Sequence, residues 1–154
     1  MPVKEWGERT IVDLQWQGPK LFSTNRTPTT VPDYKGVYLV SSRKNLYDYP
    51  RGASSLAYIG SGSVADRLPA HVERNPRVQT LLHNEGTLLF WYARVAKGLH
   101  GCVEQQLFDD FVDRRGANPC LNMLRPSCPL DWNALRVRHL GLSFPYDFSR
   151  TNFP

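Results

Sequence analysis

The side chains with most chemistry to offer fall first in 56–71, which reads Leu-Ala-Tyr-Ile-Gly-Ser-Gly-Ser-Val-Ala-Asp-Arg-Leu-Pro-Ala-His. Tyr58 lies in a short apolar run over 56–59 that breaks at Gly60 and Gly62. Ser63, with Asp66 three positions on, then makes a capping-box start for a helix over 64–74. Arg67 and His71 are four apart, so they share one face of that helix. A strand that ends at a helix N-terminus lines a concave edge with backbone N–H groups, where anions bind. A phenol, a guanidinium and an imidazole converge there. Pro69 removes a backbone donor beyond the first turn, which predicts a kink or a 3₁₀ start to the helix.

The elements that must position these groups follow from periodicity. Residues 35–40, Lys-Gly-Val-Tyr-Leu-Val, read as an apolar strand carrying Tyr38, and it would pair with the 56–59 run as a hairpin. The connection over 41–55 holds Arg43, Lys44, Tyr47, Tyr49 and Arg51 beside Pro50 and Gly52. It reads either as a solvated loop or as a basic, aromatic loop that touches DNA, and Arg74 would add a cation at the end of the preceding helix. Asn75-Pro76 starts a short helix over 77–83, which Gly86 follows. The stretch 87–95, apolar on both faces, reads as a central strand. The helix over 100–114 carries Val103, Leu107, Phe108, Phe111 and Val112 as its apolar stripe, closed by Arg114, Arg115 and Gly116. Glu104 lies beside that stripe. A partly desolvated carboxylate needs a metal ion, an arginine or a route to water. Asn122 follows in a turn, Asn-Pro-Cys-Leu-Asn, and local chemistry alone makes it a turn residue as readily as a site residue.

Taken in order, Gly36-Val37-Tyr38, Tyr58-Ile59-Gly60, Arg67, His71, Glu104 and Asn122 resemble the GIY-YIG nuclease family. Val37 stands where the first triplet usually has isoleucine, and 41–55 is longer than the connection in many members. The resemblance covers 36–122 and implies an α+β fold: a small three-stranded antiparallel sheet flanked by helices. It also implies a DNA endonuclease that uses one Mg²⁺ or Mn²⁺ ion. Tyr38 would be the base that activates water, Tyr58 would orient water or phosphate, and His71 would relay the proton. Asn122 would hold phosphate or brace the site.

The chemistry is consistent with those groups. Phosphodiester hydrolysis needs a water that loses a proton, neutralisation of the charge on the transition state, and capture of the leaving oxygen. Arg67 can meet the second need, and a divalent ion on Glu104 the third. Ionising a tyrosine near neutrality costs about 4 kcal/mol from a reference pKa of about 10. A unit positive charge at about 4 Å, at an effective dielectric of about 20, supplies about that much.

Length and composition agree with one domain over 1–154, with an arm over 1–33, a core over 34–124 and a wrapped C-terminal extension over 125–154. The 154 residues are 41% hydrophobic, which argues against disorder, and carry a net charge of +5 that suits a polyanion. No apolar run is long enough to span a bilayer and the start lacks a signal peptide's centre, so the expectation is a cytoplasmic protein with no membrane partner. Cys102, Cys120 and Cys128 show no paired metal-ligand spacing, and reduced thiols are expected. The arm offers one strand over 10–16 that packs over the sheet, or tryptophans, Trp6 and Trp16, that serve a dimer or a partner. The tail offers one strand-like run, 135–140. Gly60-Ser61-Gly62-Ser63 matches neither a phosphate loop nor a serine-hydrolase elbow. Two rival classes stay open: a catalytically silent DNA-binding module, and an interaction domain of a larger complex. Cutting both strands of a duplex would take either a homodimer or two successive nicks.

Overall fold

The computed structural model describes residues 10–22, 34–63, 76–96, 98–122 and 135–140. Within them the chain is α+β, with strands β1 (Thr10–Gln15), β2 (Gln17–Phe22), β3 (Lys35–Ser42), β4 (Leu56–Ser63), β5 (Leu88–Arg94) and β6 (Leu135–Leu140). Two helices, α1 (Pro76–Glu85) and α2 (His100–Arg115), lie between them. The main sheet has four strands in the order β2-β5-β3-β4. All its pairs are antiparallel.

Successive side chains of β3 and β5 go to opposite faces of the sheet, and both faces are covered. Val37, Leu39, Leu89 and Trp91 pack with Val103, Leu107 and Phe111 of α2. Tyr38, Val40, Phe90 and Tyr92 pack with Val78 and Leu82 of α1. That is why neither strand alternates polar with apolar residues. α1 begins at Pro76, whose missing donor costs nothing at the first helical position, and α2 closes with the Gly116 N–H donating to the Val112 carbonyl at 2.7 Å.

Several expectations change. The sheet has four strands rather than three, because β2 adds to the outer edge of β5. Proline is tolerated on an edge strand, and the register shifts between Gln17 and Lys20 to accommodate Gly18 and Pro19. The β4 strand does not end at Gly60. It runs on to Ser63, pairing Gly60 with Tyr38 and Gly62 with Gly36. Gly62 takes a φ of 124°, which only glycine adopts cheaply.

The arm and the tail meet, since β1 pairs in parallel with β6, from Thr10 opposite Leu135 to Gln15 opposite Leu140. Leu14 and Trp16 enter the α2 side of the core. At 4% exposure Trp16 is not available to a dimer or partner as expected, and Trp6 lies outside the described residues. The expected helix over 64–74, with its kink at Pro69, also lies outside them. Cys102 corrects the expectation of reduced thiols: it is disulfide-bonded, whereas Cys120 is free; Cys128 lies outside the described residues. Among the described residues, no helix is long and apolar enough to cross a membrane.

Candidate active site

Because β3 and β4 pair in register, Tyr38 stands directly opposite Gly60, and its ring lies across that residue. A Cβ at Gly60 would overlap the hydroxyl end of the Tyr38 ring, so the glycine is required by the tyrosine above it. Tyr58 is two residues back along β4, hence on the same face, and the two phenol rings stack at 5.9 Å between centroids and 22° between planes. Phe90 closes the other side of Tyr38 at 5.5 Å. Tyr38 is 1% exposed, while Tyr58 is half-buried. Tyr58 therefore keeps some access to solvent and Tyr38 almost none.

Glu104 comes to β4 from the other face of the sheet, on the first turns of α2. The Ser61 hydroxyl donates to its carboxylate. Ser61 follows Gly60, and alternation along a strand aims it away from the tyrosines and toward α2. The phenols and the carboxylate thus hang from opposite faces but meet at adjacent residues of an edge strand, about 3.3 Å apart along the chain.

Asn122 closes that edge. Its Oδ1 accepts from the Ile59 N–H at 3.0 Å and its Nδ2 donates to the Ile59 carbonyl at 2.9 Å. The Leu121 N–H donates to the Ala57 carbonyl at 2.8 Å. An edge strand leaves one row of backbone groups without strand partners, and this turn takes part of that row. Of the two roles raised for Asn122, holding phosphate or bracing the site, its side chain performs the second.

The remaining sequence candidates divide. Arg67, His71 and Arg74 lie outside the described residues. Arg43 and Lys44 are exposed. Arg51 is exposed too, but it caps α2: its N–H donates to the Arg115 carbonyl at 2.9 Å and its Nη1 to the Asp113 carbonyl at 2.7 Å. A guanidinium at a helix C-terminus satisfies orphan carbonyls and opposes the dipole, which is a structural task.

Sequence reasoning passed over two residues. Ser61 was legible from alternation alone. Glu85, the last residue of α1, accepts from the Ser42 and Tyr47 hydroxyls and from Asn45 Nδ2, the last at 2.9 Å. Its signal was a carboxylate at the unfavourable end of a helix, which asks for donors. Burial first, and the Glu85 carboxylate second, push the Tyr47 phenol far above its ordinary range. Tyr49 is also raised, chiefly by burial; its hydroxyl donates to the Leu56 carbonyl at 2.7 Å and accepts from the Cys120 N–H at 3.0 Å. The 41–55 connection is therefore tied to both helices and is not a free loop.

No protein-family model matches this chain, nor does any curated protein or solved structure.

Proposed function

We infer that the chain is a divalent-metal-dependent endonuclease of the GIY-YIG type, hydrolysing DNA phosphodiesters with an activated water. The observation that carries this reading is the meeting at Gly60 and Ser61. There the Tyr38 hydroxyl end and the stacked Tyr58 ring, on one face of β4, and the Glu104 carboxylate, on the other, address adjacent residues of the edge strand.

Tyr58 is the phenol that can touch water, so it takes the proton or orients the nucleophile. Tyr38 lies in the core and acts as a positioning residue, fixing the Tyr58 ring by stacking. Arg67 supplies positive charge to the transition state, and His71 accepts the proton that follows. Among the described residues, no group of three metal-ligating side chains occurs. A lone carboxylate nevertheless suits Mg²⁺, which keeps several waters and takes one or two carboxylates together with substrate phosphate oxygens. Glu104 would hold one such ion, which would supply charge neutralisation at the phosphate and the leaving oxygen. Arg43 and Lys44 would contact the DNA backbone.

Plasmid nicking tests the reading. Cleavage should require Mg²⁺ or Mn²⁺ and stop with EDTA, and Glu104→Gln should lose about 3 kcal/mol of transition-state stabilisation, roughly two orders of magnitude in rate. If the unsubstituted chain cuts nothing under any metal yet binds DNA with a steep salt dependence, it is a binding module and the hydrolase reading fails. The burial of Tyr38 and the approach of the Glu104 carboxylate from the opposite face are the observations that favour that second reading.

A further inference from the structure

A groove of about 520 Å³ opens between α1 and the turn at 120–121, and the nuclease reading makes no use of it. Its lining includes Tyr47, Arg77, Leu81, Asn84, Cys120 and Leu121. The volume falls within the ordinary range of small-ligand sites. We propose that this groove holds one unpaired nucleobase of the nucleic-acid substrate, next to the bond that is cut. The proposal rests on the phosphodiesterase reading of the neighbouring site.

Position supports it. Tyr47, Tyr58, Leu81 and Leu121 pack into the same cluster, on the α1 face of the sheet that also carries Tyr38. The Leu121 N–H is bound to the carbonyl of Ala57, the residue before Tyr58. A strand lying against Tyr58 would place a neighbouring base at the groove mouth.

Chemistry supports it as well. Tyr47 is a preset aromatic wall: its hydroxyl donates to Glu85 and its backbone pairs with Ser54 in both directions, at 2.8 and 3.0 Å. Such a ring offers stacking at little entropic cost. Leu81 and Leu121 are apolar walls. The Asn84 amide offers a donor and an acceptor for a base edge, and Arg77 a cation for the attached phosphate. A base pair in a duplex is too wide for a site of this kind, so the occupant is a base from a single strand, a bulge or a flipped nucleotide.

Cys120 provides the readout. It is free and sits at an exposed residue of the groove wall, whereas Cys102 is tied up in a disulfide. The Cys120 Sγ lies 4.0 Å from the Ala57 carbonyl and burial raises its pKa, so alkylation is read against the rate without probe. The full chain is treated with iodoacetamide at mildly alkaline pH, and Cys120 alkylation is followed by mass spectrometry. The probes are deoxyadenosine monophosphate, deoxycytidine monophosphate and inorganic phosphate. A bound nucleotide slows alkylation by 1 + [L]/Kd, about tenfold when the probe is at about ten times Kd. Inorganic phosphate should not. Leu81→Trp, which fills the groove, should abolish the protection, and Asn84→Ala, an exposed change that leaves the fold intact, should weaken it. Glu104→Gln should leave it unchanged. Failure of every nucleotide to slow alkylation, or equal slowing by inorganic phosphate, overturns the proposal. DNA cleavage without protection overturns the groove site alone, while protection without cleavage overturns the hydrolase reading and with it the groove's place beside a cut bond, leaving a nucleotide site only.

Discussion

At the scale of single residues, close approach decides more than residue type. Gly60 is needed because Tyr38 lies on it, and Gly60→Ala forces the ring aside. We expect a loss of about 1–3 kcal/mol, as for other overpacked cores, measured as a lower urea midpoint with an unchanged m-value. Nicking should fall with it, because the Tyr58 ring loses its stacking partner. Asn122 gives a contrasting case. Asn122→Ala removes both side-chain bonds to Ile59, costing about 1–2 kcal/mol of stability at two net hydrogen bonds. Asn122→Asp keeps the acceptor and loses the donor, so it should fall between. If Asn122→Ala abolishes nicking while leaving the melting temperature untouched, the bracing role assigned here is wrong. Glu104→Gln should show the reverse pattern: lost cleavage with little change in stability.

At the scale of elements, two attachments make separable expectations. Glu85 ties the 41–55 connection to the end of α1 through Ser42, Asn45 and Tyr47. Glu85→Ala leaves those donors without their acceptor, and amide hydrogen exchange over 43–51 should quicken while β3 and β5 stay protected. The pairing of β1 with β6 involves Trp16 and His139. The Trp16 indole N–H donates to His139 Nδ1 at 2.9 Å, which requires a neutral imidazole with its proton on Nε2. Burial pulls the His139 pKa down to about 4, from an ordinary value of 6.5. Between those values the unfolded chain binds more protons than the native one, so stability rises with pH across that window. It is complete above the unfolded value and lost as pH falls toward the folded one. Thermal melts at about pH 7 and about pH 4.5 should show this loss, and His139→Gln, which accepts the same bond without titrating, should flatten it.

At the scale of the whole molecule, charge and covalent linkage carry the expectations. With a net charge of +5, binding to DNA should weaken as salt rises, with a slope of about −0.9 in log K against log[salt] for each phosphate neutralised. Arg43→Ala and Lys44→Ala should each shallow that slope by about one unit if both contact phosphate, whereas Arg51→Ala, engaged at the end of α2, should act on stability instead. Reduction should lower the melting temperature through Cys102 and leave the Cys120 region unaltered.

The sequence by itself determined the three central strands and both described helices. A β-branched or aromatic run and an apolar stripe at helical spacing are local properties, and Pro76 and Gly116 punctuate them locally. It also supplied the order of residues on which the resemblance rests. It could not determine that β2 joins the sheet, that β1 and β6 pair, that Cys102 is disulfide-bonded, or that Asn122 grips Ile59. Those are contacts between segments far apart in the chain, and no local pattern encodes its own partner. Tertiary structure alone decided that Tyr38 is buried while Tyr58 meets water, and that Glu104 reaches the same strand edge from the other face. The two phenols share a face, and the strand order separates them: Tyr38 lies on the inner strand β3 between Phe90 and Tyr58, whereas Tyr58 lies on the edge strand β4.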